Sequence, residues 1–154
     1  MRLDMSENNY KVLFLYPNER HVSIVPPSLA ILSAILKREK ITVDLFDTSL
    51  YPTEGLDSDE IRENILSVRT VKPSDKVILK HTDKFADFIK KVESYKPDMI
   101  AATVTDSTIL LAIELLKSVN KFSHLTVLGG PFAGFAPDRA INYPEVDVIC
   151  IGEG

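Results

Sequence analysis

Two stretches of this chain set groups that can hold a ligand directly after an apolar run. Residues 99–104 (MIAATV) lead into Thr105-Asp106-Ser107-Thr108, and residues 125–128 (LTVL) lead into Gly129-Gly130-Pro131-Phe132. Hydroxyls both donate and accept hydrogen bonds. Adjacent glycines have no Cβ, so a flat or bulky ligand can lie directly on the main chain, although Gly-Gly-Pro is also ordinary turn punctuation. A third stretch, residues 17–26 (PNERHVSIVP), is long for a strand-to-helix link and carries Asn18, His21 and Val25. The His21 imidazole is a suitable transition-metal ligand, but its spacing fits no metal motif and an exposed loop histidine is the favoured reading.

Several chemistries are excluded by what these stretches lack. The first loop contains no glycine, which removes both the Gly-x-Gly-x-x-Gly dinucleotide fingerprint and the phosphate-cradling P-loop. Asp106 stands where a phosphoacceptor aspartate would, yet no acidic pair follows residues 11–16, no lone hydroxyl follows residue 128 and no lysine follows residue 151. There is no Gly-x-Ser-x-Gly elbow and no nucleophile with a nearby histidine. The chemistry on offer is therefore binding rather than self-contained hydrolysis.

The elements needed to position these groups follow from periodicity. Residues 11–16 (KVLFLY), 99–104 and 125–128 are apolar throughout, as expected of parallel strands covered on both faces, whereas residues 41–46 (ITVDLF) alternate like a half-covered edge strand. Residues 146–151 (VDVICI) read as a fifth strand containing Cys150, the only cysteine, which is expected to be a buried structural thiol. Pro26-Pro27 opens a helix with Leu29, Leu32 and Leu36 on one face and Ile31 and Ile35 on another, a surface broad enough for two neighbours. Further helices are expected over residues 57–68, with Ile61, Ile65 and Leu66 as apolar positions, over 83–95, over 109–120 with Ser107 or Thr108 as N-cap, and over 137–142; residues 71–79 read as a connector. Strands alternating with helices specify a doubly wound α/β domain, flavodoxin-like, with a five-stranded parallel sheet in order 2-1-3-4-5. The switch point lies between strands 1 and 3, where loops 17–26, 105–108 and 129–134 converge.

With 154 residues the chain makes one domain, residues 11–154, behind a polar and frayed leader, residues 1–10. A net charge of −4 with basic and acidic residues interspersed argues against nucleic-acid or anionic-membrane partners. No apolar run is long enough for a signal or membrane segment, and a lone cysteine allows no internal disulfide, so a reduced cytoplasmic setting is expected.

Taken together, PPSLAILSAILKREKITVDLFD, KPDMIAATVTDST, LTVLGGPFAGFAPD and VDVICIGEG resemble the N-terminal cobalamin (vitamin B12)-binding domain of cobalamin-dependent radical S-adenosylmethionine enzymes, among them methyltransferases and the anaerobic magnesium-protoporphyrin monomethyl ester oxidative cyclase. The resemblance spans nearly the whole chain; its most specific parts are the Gly-Gly-Pro turn and the terminal Gly-Glu-Gly. It implies cobalamin as cofactor, with the corrin over the carboxyl ends of the strands and the nucleotide tail in the crevice beside the sheet. It implies that Gly129, Gly130, Pro131 and Phe132 line the tail, that Thr105, Asp106 and Ser107 meet it, and that Asn18, His21 and Val25 face the corrin. It also implies a C-terminal radical S-adenosylmethionine domain of the same chain, with a Cys-x-x-x-Cys-x-x-Cys motif, a [4Fe-4S] cluster and S-adenosylmethionine. The chain is then a piece ending before that domain, and non-catalytic by itself. One departure stands out: the Asp-x-His-x-x-Gly motif that supplies a cobalt-ligating histidine in methionine synthase and the mutases is absent. The alternative is a sensing or interaction domain of the same fold with a vestigial cleft.

Overall fold

The structure, a computed structural model, describes residues 9–18, 26–51, 65 and 80–152. Apart from Ile65, which is helical, the helix expected over residues 57–68 lies outside the described residues, as do the 71–79 connector, most of the leader, and His21, Val25 and Glu153. The described elements run β1 (Lys11–Tyr16), α1 (Pro27–Arg38), β2 (Thr42–Asp47), α2 (Lys84–Tyr95), β3 (Met99–Thr103), α3 (Ile109–Val119), β4 (Leu125–Gly129), α4 (Pro131–Phe135), α5 (Pro137–Ile141) and β5 (Val148–Ile149). All neighbouring strands are parallel, in the expected order β2-β1-β3-β4-β5.

Side-chain alternation along the strands divides the interior in two. Leu13, Leu15, Ile100, Ala102 and Leu128 point to the face covered by α2 and α3, where Phe88 and Val92 of α2 and Ile113, Leu115 and Leu116 of α3 complete the main core. Val12 and Phe14 point the other way and meet Leu29 of α1, with Leu32, Leu36, Met99 and Ala101 packed around them. The sheet thus covers one of the two apolar stripes of α1, and Ile31 and Ile35 remain exposed.

Local chemistry accounts for the ends of these elements. Asp83 caps α2 by accepting from the Ala86 amide at 2.8 Å, and α1 begins at Pro26-Pro27, whose fixed φ suits a first turn. Residues Tyr51 and Lys80 flank the undescribed stretch 52–79 and are held together: the Lys80 amide donates to the Leu50 carbonyl at 2.9 Å, and the Lys80 ammonium donates to the Tyr51 hydroxyl at 3.0 Å. That hydroxyl donates onward to Asp87 at 2.9 Å.

Four expectations are corrected. The fifth strand is regular only over Val148–Ile149, with the Asp147 amide bonded to the Thr126 carbonyl at 3.1 Å and the Cys150 amide to the Leu128 carbonyl at 2.8 Å at its two ends. Cys150 is half-buried rather than buried. Of the two candidates Thr108 takes the N-cap position of α3 as expected, but without the capping side-chain bond, because its hydroxyl is engaged in the preceding turn. After Gly129 the chain enters α4 instead of an open turn, since Gly130 adopts a φ of +90° and Pro131 starts the helix.

Candidate ligand cleft at the strand carboxyl ends

Register brings the ends of β1, β3 and β4 level. Leu15 is opposite Ala102 and Thr103 is opposite Gly129, so Tyr16, Thr103 and Gly129 lie in one row on the α1 face. Above that row opens a cavity of about 830 Å³, within the range of small-molecule sites. Its walls are Tyr16, Pro17 and Asn18 after β1, Pro26 and Ser28 at the start of α1, Thr105, Ser107 and Thr108 after β3, and Gly130, Pro131, Gly134 and Phe135 after β4. Ser28, Thr103, Gly130 and Gly152 are shared with a second cavity of about 200 Å³, which runs down between α1 and the sheet and is walled by Phe14, Leu29, Leu32, Ala101, Val127, Gly129 and Cys150. A polar mouth therefore continues into an apolar groove.

The hydroxyl turn is internally braced. Thr108 Oγ1 accepts from the Thr105 amide at 3.0 Å and lies 3.1 Å from Thr105 Oγ1, which in turn lies 3.0 Å from Ser107 Oγ. Thr108 is buried and acts as the brace, whereas Thr105 and Ser107 are exposed. A hydroxyl has one proton and two lone pairs, so both retain capacity for a ligand. On the opposite wall Asn18 is buried, its amide donating to Thr48 Oγ1 at 2.7 Å and its side chain donating to Ser49 at 3.0 Å. Burial, and then the Asp47 carboxylate, push the Tyr16 phenol above its ordinary range.

Of the ten residues singled out from sequence, five line the large cavity together: Asn18, Thr105, Ser107, Gly130 and Pro131. Gly129 lines the groove, beside Cys150. Asp106 is exposed and lines neither cavity, and Phe132 is buried in the main core with the Arg139 guanidinium 5.7 Å from its ring centre. His21 and Val25 lie outside the described residues. Sequence reasoning missed Tyr16, Ser28, Thr103 and Phe135 as site residues, and it placed Gly134 in the converging loop 129–134 without singling it out. The glycines also divide by role. A Cβ on Gly130 would sit 2.7 Å from Thr103 Oγ1 and 2.8 Å from the Val104 amide nitrogen and carbonyl oxygen, so its side chain is missing because β3 is there, not because a ligand is.

Among the described residues no group of three His, Cys, Asp or Glu side chains is placed to hold a metal ion. His124 stands at the opposite end of the sheet, beside the start of β4. No described helix is long and apolar enough to cross a membrane.

An all-parallel, doubly wound sheet with its cavity at the switch point defines a ligand-binding domain of the flavodoxin-like type. Residues 19–154 match the family model for the B12 binding domain, and the chain belongs to that family. Among solved structures it is similar to TsrM from Kitasatospora setae, a radical S-adenosylmethionine methyltransferase. With cobalamin and a [4Fe-4S] cluster bound, that structure gives a TM-score of 0.57 at 16% identity over 88% of this chain and 21% of TsrM. With tryptophan substrate and a S-adenosylmethionine analogue bound, it gives 0.57 at 16% identity over 86% and 21%. The chain thus spans about a fifth of that relative. A type II dehydroquinase from Butyrivibrio crossotus DSM 2876 shares the architecture at a TM-score of 0.51 and 13% identity, over 95% of this chain and 90% of its own. No curated protein matches the sequence.

Proposed function

We propose that this domain holds cobalamin for a radical S-adenosylmethionine domain that follows it in a longer protein, in which the pair carries out methyl transfer or an oxidative cyclisation. The observation that carries this reading is the polar mouth opening into an apolar groove at the strand carboxyl ends, in a chain of the B12-binding family. The two cavities fit the two parts of the ligand. The groove walled by Leu29, Leu32, Ala101 and Val127 suits the flat, weakly polar base of the nucleotide tail, and the wider mouth leaves the corrin over the rim. Thr105 and Ser107 would bond the polar linker between them, and Asn18 and Tyr16 would form the opposite wall. Bound cobalamin supplies a cobalt centre able to carry an alkyl group. What this chain adds is position: its hydroxyls orient the tail, and its apolar groove keeps water from the base.

The first loop carries no Asp-x-His-x-x-Gly motif, and on that ground the cobalt is proposed to lack a protein imidazole. The domain organisation follows from the same reading, with S-adenosylmethionine, a [4Fe-4S] cluster and a Cys-x-x-x-Cys-x-x-Cys motif in the succeeding domain. The test is incubation with hydroxocobalamin, desalting, and an absorption spectrum. Retained corrin absorbance at about one equivalent supports the proposal; a colourless protein overturns it. Electron paramagnetic resonance of the cob(II)alamin form then reports on the axial ligand, and nitrogen splitting that disappears in His21→Ala would refute the absence of imidazole.

A further inference from the structure

Gly134 is the glycine of this cleft for which the fold has no use. Gly130 must be glycine because its φ is +90° and a Cβ would strike β3, while a Cβ on Gly129 would rest in ordinary contact 3.6 Å from that of Cys150. Gly134 lies within α4, takes no left-handed φ, and among the described residues a Cβ built on it meets nothing within 4 Å. Glycine inside a helix is less stable than alanine, so at this position the fold alone favours a side chain. The position nevertheless lines the mouth of the cleft. Beside it Phe135, also on the mouth, is 91% exposed, the most exposed large apolar side chain among the described residues, although its partner Phe132 three residues earlier is buried. An aromatic ring left in water next to a glycine with no conformational duty is not explained by packing of the described fold.

We infer that Gly134 and Phe135 form the ledge on which the ligand's macrocycle rests, Gly134 by leaving clearance and Phe135 by offering an apolar face. This rests on the cobalamin reading and deepens it: the space on the β4 side of the rim belongs to the corrin and is kept open at Gly134, not at Gly130. The ligand class is a broad, largely apolar disc, because a compact polar ligand would need neither the clearance nor the ring.

The experiment measures hydroxocobalamin affinity by absorbance titration, and urea midpoints, for the 154-residue chain and for Gly134→Ala, Gly134→Leu, Gly134→Trp and Phe135→Ser. Midpoints equal to or above that of the unsubstituted chain are expected for the Gly134 variants, since the site is open and helical. Affinity is expected to fall in the order Ala, Leu, Trp, with roughly tenfold or greater weakening for Trp, and to fall severalfold for Phe135→Ser. Circular dichroism identifies any variant that does not fold, and the alanine and leucine variants carry the size trend without the tryptophan. Wild-type affinity in folded Gly134→Leu and Gly134→Trp would overturn the ledge while leaving the cobalamin reading intact. An unsubstituted chain that binds no hydroxocobalamin would overturn both.

Discussion

The two faces of the sheet are built to different standards. Beneath α2 and α3, Phe88, Leu115, Leu116 and Val119 are sealed against Leu13, Leu15, Ile100 and Leu128 in a continuous core that also takes in Phe132 and Ala140. Beneath α1 the fully buried set among the described residues is Val12, Phe14 and Leu29, and the outer strands on that side present Leu125, Val148 and a half-buried Cys150. The apolar groove of the ligand cleft lies on this thinner face. On the proposed reading stability and binding fall on opposite sides, which lets the groove stay open without a cavity in the main core.

If that division is real, truncation beneath α2 should be the most damaging single change. Phe88→Ala removes a completely buried ring that packs 4.8 Å centre to centre on Phe46, and is expected to cost about 3–5 kcal/mol in urea melts. Leu29→Ala, on the α1 side, borders the groove and leaves a space already continuous with solvent. A decrease of about 2 kcal/mol, the low end for such truncations, is expected together with weakened cobalamin retention. Equal decreases at the two sites would break the comparison.

The same division explains how much can be read from sequence. KVLFLY, MIAATV and LTVL declare themselves because strands covered on both faces are apolar without interruption, and the edge position of β2 follows from its alternation. β5 is shorter than its sequence suggests because VDVICI has the same apolar look, although only Val148 and Ile149 pair with β4. The three loops of the cleft are legible, but the direction of each residue within them is not. Phe132 and Phe135 are alike in sequence and stand three apart in one short helix, yet the first is buried in the core and the second is exposed on the mouth. For the same reason sequence does not say which glycine clears β3 and which clears the mouth.

Gly130→Ala tests the first of these. A left-handed backbone and the approach to Thr103 and Val104 act together, so a destabilisation of about 2 kcal/mol is expected in urea melts. Weakened binding alone, with an unchanged midpoint, would contradict it.

A smaller effect is expected at the other end of the sheet. His124 lines a cavity of about 240 Å³ with Glu145 and Asp147, and neither His124 Nδ1 nor Glu145 Oε2 finds a partner. Burial pulls the His124 pKa below its ordinary 6.5, outweighing the Phe122 carbonyl and the Asp147 carboxylate, which favour the charged form. The folded state thus refuses a proton that the unfolded state accepts. This contribution is complete above pH 6.5 and declines as pH falls below it towards the lowered folded value. His124→Gln should flatten the upper part of that decline in urea midpoints measured from pH 7 to 5, and an unchanged slope would assign it to carboxylates.

The least effect is expected on the outer side of α1, where the comparison is sharpest. Ile31 and Ile35 are 59% and 41% exposed, one turn apart, on the helix whose other stripe carries Leu29, Leu32 and Leu36. Were the α1 face a second core of equal rank, these isoleucines would contribute like core residues, and their replacement would cost several kcal/mol. Among the described residues both side chains are exposed, however, and lysine has the better helix propensity, which offsets the little apolar burial that the change removes. Ile31→Lys with Ile35→Lys should therefore leave the urea midpoint within about 0.5 kcal/mol of the unsubstituted chain and leave cobalamin retention unchanged. Sedimentation separates the remaining case: a larger destabilisation accompanied by dissociation of a dimer would show that a second copy covers the stripe, whereas a larger destabilisation in a monomer would show that α1 is anchored on both sides and that the face is not thin.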